Sequence, residues 1–234
     1  MKKLLSILIL SGICSEAIAV SIPWETISGS RSSSGFRWTY SYDIGFLNNM
    51  LMIDLDINLI GDTANNNVLL NRWETGIEGI WSTNRFEIPI SFNVDWVSEN
   101  YDQTVYVHDG DTAIFNMLNW NTVGANGWGD EFQEEVVAHE VGHMFGLWDE
   151  YTGGAIDPVT GLVNTNGLMH TLDGGTLDYY YDDMLNWYQA AAPVPVPAAA
   201  WLFISGLIGL FGIRSYSLTK APTRTPNFPR NSYR

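Results

Sequence analysis

Residues 129–151 read GDEFQEEVVAHEVGHMFGLWDEY. Asp130 is placed to be an N-cap with Gln133 at N3, and Glu131, Glu134 and Glu135 put negative charge in the first turn, where the helix dipole favours it. Phe132, Val136, Val137, Val141 and Met144 supply apolar faces, so the spacing predicts a helix across the stretch. On it His139 and His143 stand four residues apart, about one turn, and their imidazoles point the same way. Two nitrogens so placed can share one metal ion at ~2.1 Å each, and Glu140 beside them can reach a water at that ion. The spacing therefore suits zinc and a base together.

Zinc at a catalytic site takes three protein ligands and keeps one position for water. A glutamate downstream is excluded as the third, because no Glu follows Glu150. The string from His139 to Asp149, HEVGHMFGLWD, resembles the metzincin signature H-E-x-x-H-x-x-G-x-x-H/D, with Asp149 in the third-ligand place that most members fill with His. Gly146 can adopt φ > 0 there, ending the helix so that the chain swings back beneath the metal. Leu168-Met169-His170, 26 residues after His143, resembles the Met-turn of that family, which would make Met169 a soft floor to the site. Thr171 occupies a place where some members carry a tyrosine near the metal; a tyrosine assisting the oxyanion must then come from Tyr179, Tyr180 or Tyr181, or not exist. A rival pattern is Gly175-Thr176-Leu177-Asp178-Tyr179-Tyr180-Tyr181, which resembles the G-T-x-D-x-x-Y of the aspzincins, with Asp182 replacing the final Gly. It makes Asp178 the alternative third ligand, with His170 a further candidate.

The metzincin resemblance implies an α+β fold of zincin type: a twisted mixed sheet, a long helix, an active-site helix carrying the motif, then a small C-terminal subdomain with the Met-turn. It implies a zinc-dependent endopeptidase that hydrolyses protein or peptide substrates by metal-activated water with Glu140 as general base. The alternative is a non-catalytic surface or biofilm-matrix protein retaining that fold.

Outward from the motif, Leu51, Ile53, Leu55, Ile57 and Leu59 alternate with Met52, Asp54, Asp56 and Asn58, the period of a strand with one wet face. Phe86, Ile88, Ile90, Phe92, Val94 and Trp96 fall on one side of a second strand. Residues 104–108 and 36–42 are expected to be two more. Leu69, Trp73, Ile77, Ile80 and Trp81 form an apolar stripe on a helix from about Asn66 to Trp81, although Gly76 and Gly79 weaken it by about 1 kcal/mol each. His108 before Asp109-Gly110-Asp111 reads as a strand end and turn. Asp54 and Asp56 read as the solvated face of their strand, and Asp109, Asp111 and other loop acids as groups able to hold structural calcium. Glu150 is expected in a buried pair or cap, with no catalytic role.

The chain has 234 residues, room for one domain of ordinary size. Its 11 basic and 26 acidic residues give a net charge of −15, which argues against a nucleic-acid partner, whose phosphates demand a basic footprint. Residues 1–19 carry Lys2 and Lys3, an apolar run and an A-x-A ending, the pattern of a secretory signal cut after Ala19. Cys14 is the only cysteine, so the mature chain relies on its core without disulfides. Residues 20–190 form the metalloprotease-like domain, and whether residues 20–45 are a removable prosegment is open. Residues 191–197 make a proline linker, 198–213 an apolar segment and 214–234 a basic tail. A 16-residue helix reaches roughly 24 Å, short of a ~30 Å hydrocarbon core. Val194 to Pro197, AAAWLFISGLIGLFGI and Arg214 resemble the PEP-CTERM sorting signal of Gram-negative, biofilm-forming bacteria, though the motif lacks Glu and about twenty residues follow Arg214. The other reading is a plain C-terminal membrane anchor. The resemblance implies export, transient anchoring in the inner membrane through 198–213, processing by an exosortase-type enzyme, and a final place at the cell surface or in the extracellular matrix.

Overall fold

The computed structural model describes residues 21–33, 35–61, 65–110, 115–123, 133–162 and 165–192. The expected signal segment, most of the proline linker, the apolar segment and the basic tail lie outside the described residues, as do Asp111 and Asp130 to Phe132. Among the described residues no helix is long and apolar enough to cross a membrane. The chain divides after Ala191, and of the second unit only Ala192 is described.

Asn48 and Asn49 stand at φ 53° and 64°. Two consecutive left-handed residues make the turn that a two-residue hairpin needs, and asparagine tolerates that region better than most side chains. They join β2 (Phe36–Leu47) to β3 (Met50–Ile60), and β1 (Ile22–Ser33) pairs antiparallel with β2 on its other edge. In β3 the predicted alternation is obeyed: Leu51, Ile53, Leu55 and Ile57 are fully buried. β4 (Ile90–Trp96) runs parallel to β3 over Leu51–Ile57, and β5 (Gln103–His108) over Ile57–Ile60. Asp56 O accepts from Asp102 N while Ile57 O accepts from Val97 N. Consecutive residues turn their backbone groups to opposite edges, so β5 occupies the edge that β2 leaves after Asp54 and β4 holds the other. β6 (Asn119–Asn121) extends the sheet in parallel beyond β5. The result is a mixed sheet with few helices, an α+β architecture.

The helix α1 (Asn67–Trp81) is capped by Asn66, whose side chain accepts from Leu69 N at 3.3 Å. Its Trp73, Ile77 and Trp81 are fully buried, the stripe expected from their spacing. Gly76 has a packing reason: a Cβ there would stand 2.6 Å from Glu134 Cβ on α2 (Gln133–Met144). Trp81 Nε1 donates to Ala138 O at 2.9 Å, tying the two helices, and the Trp81 and Phe92 rings meet Phe145 at 5.5 and 5.0 Å. Truncating one such aromatic would cost about 3–5 kcal/mol.

Three local expectations differ from the structure. The second strand begins at Ile90, not Phe86, because Pro89 has no N–H to extend the ladder; Phe86 packs on Tyr181 instead, at 5.3 Å. β1 escapes a periodicity search because its sequence, IPWETISGSRSS, puts Gly29, Arg31 and Ser33 rather than apolar residues on its half-buried face, and it is held by pairing with β2. A 3-10 turn (Asp178–Tyr181) leading into α3 (Asp182–Ala191) was likewise not foreseen; the buried Tyr181 hydroxyl donates to Trp81 O at 2.7 Å and anchors it.

Candidate metal centre

The motif helix ends where the glycine demands it. α2 stops at Met144, Gly146 sits at φ 85°, and its N–H bonds His143 O at 3.0 Å. The chain then reverses, and Asp149 comes back against the histidine face. His139 Nε2 lies 3.1 Å and His143 Nε2 3.3 Å from the same Asp149 Oδ1. Ligands bonded at ~2.0–2.1 Å to a tetrahedral ion stand about 3.3 Å apart, so these three side chains, all buried, already have the separation of a metal's donor set. The group can bind a metal ion.

Neighbouring backbone groups aim each donor. His139 Nδ1 lies 2.9 Å from Leu168 O and His143 Nδ1 2.9 Å from Leu147 O. A carbonyl only accepts, so each Nδ1 carries a proton, and Nε2 is the nitrogen whose lone pair a metal would take on displacing the proton shared with Asp149. Asp149 is clipped by Ala155, whose N donates to Oδ2 at 2.6 Å while its O accepts from Asp149 N at 3.1 Å. Gly154 must lack a side chain, since a Cβ would stand 2.5 Å from Asp149 Cβ. Trp38, from the N-terminal hairpin, donates its indole N–H to His143 O at 3.0 Å.

Met169 is fully buried beneath α2, in a turn closed by His170 N on Gly167 O at 2.9 Å. Its Sδ would stand 2.5 Å from a Cβ at Gly142, so the helix is open at that residue to admit it. The turn is held from the far side by Glu150. Glu150 N donates to Met169 O, and its buried carboxylate accepts from the hydroxyls of Thr165, Tyr179 and Tyr180. Tyr180 in turn accepts from Met169 N at 3.2 Å.

The ionisable groups of the site hold one another's charge. Burial opposes ionisation of Asp149, yet hydrogen bonds from His139 and His143 hold its carboxyl well below the usual carboxylate range. Burial also opposes charge on His143, but the hydrogen bond and charge of Asp149, with Glu140 and Leu147 O, override it and push the imidazole up to about 9. Burial raises the Glu140 carboxyl, and the two histidines only partly offset this.

Glu140, His143 and Asp149 open onto a cavity of about 330 Å³ whose other walls include Phe36–Trp38, Phe115–Leu118 and Tyr151. Tyr151 had no sequence signal beyond standing two residues after Asp149. Its ring lies 6.2 Å from that of His139, and burial followed by the negative charges of Asp149 and Glu140 raises its hydroxyl above the ordinary tyrosine range. Tyr179 and Tyr180 instead serve Glu150, and Tyr181 serves Trp81. Asp178 is not brought to the histidines: its exposed carboxylate pairs with Arg85 at 3.0 Å. His170 lies outside the ligand group, its buried Nδ1 without a partner among the described residues. His108 Nε2 sits 2.9 Å from Asn119 Oδ1, and Asp54 and Asp56 gather with Asp95 in a second acidic group. Compared with known protein families, characterised proteins and solved structures, the chain matches none.

Proposed function

We propose that the chain is a zinc-dependent endopeptidase of metzincin-like fold, exported from the cell. The observation that carries the reading is the convergence of His139 Nε2, His143 Nε2 and Asp149 Oδ1 beside Glu140 at an open cavity. Two nitrogens and one carboxylate oxygen, with a side left open, form a donor set that suits catalytic zinc. Zinc held there would supply a Lewis acid that acidifies water and polarises a carbonyl.

The remaining steps belong to the chain. Glu140 takes a proton from the attacking water as the new C–O bond forms, then delivers it to the nitrogen as the C–N bond breaks, a role worth 10²–10⁴-fold in typical enzymes. Tyr151, kept protonated, donates to the carbonyl oxygen as negative charge grows on it. Leu147 O and Leu168 O, each accepting from a histidine Nδ1, keep the rings from turning.

The test is chelator-sensitive cleavage of casein by the full chain, with zinc content measured alongside. Glu140→Gln should keep one equivalent of zinc and lose at least about a hundredfold in rate. Zinc-loaded protein that leaves casein whole would favour the non-catalytic surface or matrix protein.

A further inference from the structure

Arg31 and Trp38 stand directly opposite each other on β1 and β2, and both reach the end of α2. Trp38 takes His143 O inside the helix, whereas Arg31 reaches further along the chain and donates from Nε to Gly146 O at 2.8 Å. Gly146 lies two residues past the last helical position, and a cation there meets the negative end of the helix dipole. The guanidinium carbon lies 5.0 Å from the centre of the Tyr40 ring and 5.9 Å from that of Trp148, and Nη2 is 3.8 Å from Asp183 of α3. A Cβ on Gly146 would meet Tyr40 at 3.0 Å and Arg31 Nη2 at 3.2 Å, so the turn leaves no room for a side chain beside the cation.

The segment that Arg31 grips completes the donor set. Leu147 O accepts from His143 Nδ1, and Asp149 Oδ1 lies against both histidines, so residues 147–149 aim one donor and carry another. The guanidinium holds this segment on both sides of Leu147, by the charge-assisted hydrogen bond to Gly146 and by its place over the Trp148 ring. We propose that Arg31 is a positioning residue of the metal centre: it fixes the return from Gly146 to Trp148, and through it the direction of the His143 ring and the place of the Asp149 carboxylate. Trp38 differs, because its acceptor, His143 O, lies within the helix and already takes Gly146 N. The guanidinium suits the task because one planar group donates along its edge while its face lies over an aromatic ring, and an ammonium lacks the plane. The proposal rests on Asp149 being a metal ligand and needs no peptidase activity.

The experiment measures zinc affinity, by competition with a chromogenic chelator, and metal-free melting temperature for the full chain and for Arg31→Met, Arg31→Lys and Gly76→Ala. Arg31→Met keeps the apolar stem and loses the hydrogen bond and the charge; it should weaken zinc binding about tenfold, the lower end of what loss of a group that orients ligands costs. Arg31→Lys should recover part of that loss. Gly76→Ala disturbs α2 from the α1 side, away from residues 146–149, and should lower the melting temperature while leaving zinc affinity within about twofold of the parent. Unchanged affinity in Arg31→Met, or an equal loss of affinity in Gly76→Ala, would overturn the proposal and leave Arg31 as a stabilising residue only. If Arg31→Met fails to fold, Arg31→Lys decides by the same comparison. A parent chain that binds no zinc would remove the metal centre and the proposal together. A parent that binds zinc and shows the Arg31 response but leaves casein whole would keep the proposal and remove the peptidase.

Discussion

Trp38 and His143 are 105 residues apart in the chain and 3.0 Å apart in space, indole nitrogen to carbonyl oxygen, with the two rings edge to face at 5.6 Å. The hairpin that opens the described chain thus braces the helix that carries His139 and His143. Tyr42 and Ile44 of the same hairpin are buried in the core. Residues 22–33 and 36–45 are strand residues of the sheet, so removal of the segment up to 45 should leave a chain that does not fold.

Trp38→Phe keeps an aromatic ring against His143 and loses the hydrogen bond. The bond goes to the main chain of α2 rather than to the imidazole, so its loss should lower stability by about 0.5–1.5 kcal/mol with zinc affinity little changed, measured by thermal melts alongside competition with a chromogenic chelator. An unchanged melting temperature would mean that the indole only fills space.

Asp149→Ala and Asp178→Ala separate the two candidates for third ligand. Asp149 Oδ1 lies between the two histidines, whereas Asp178 reaches only Arg85. Elemental analysis should find well under one equivalent of zinc in purified Asp149→Ala and a full equivalent in Asp178→Ala.

Metal-free protein should lose stability as pH rises through about 9. His143 is raised there from an ordinary value near 6.5, so its stabilising charge is fully present below 6.5 and gone above 9. The difference is about 3 kcal/mol, counted once for the pair it makes with Asp149. Asp149 acts in the other direction: its carboxylate stabilises above the unfolded carboxyl pKa of about 3.9 and the contribution is lost as pH falls further. Melting temperature of the metal-free chain should therefore peak between about pH 4 and 6.5. Saturating zinc should raise it most at alkaline pH, where no proton competes for the ligands.

Gly76 and Gly79 sit three residues apart on α1 and should respond oppositely to alanine. A Cβ on Gly79 meets nothing within 4 Å, so Gly79→Ala should stabilise by up to about 1 kcal/mol through helix propensity alone. At Gly76 the new methyl meets Glu134 Cβ at 2.6 Å and forces α2 away, a loss of about 1–3 kcal/mol. Thermal melts of the two variants side by side decide it.

Where neighbours in the chain were enough, the reading from residues held: the alternation in β3, the stripe of α1 and the helix end at Gly146 are each set by side chains within a few positions. The polar β1, the late start of β4 and the α3 segment were not legible, because pairing partners and packing from elsewhere in the chain decide them. Gly76 had read as a weak point in a helix, yet it is where another helix comes closest.

The sequence by itself determined that His139 and His143 share a helix face with Glu140 beside them, because one turn of helix is a local geometry that covalent spacing dictates. Which carboxylate joins them, Asp149 or Asp178, depended on how the chain returned after Gly146 and on where Arg85 lay. Which tyrosine borders the cavity depended on Glu150 having claimed Tyr179 and Tyr180. These are contacts between residues far apart in sequence, and only the closing of the fold puts such groups within hydrogen-bond distance.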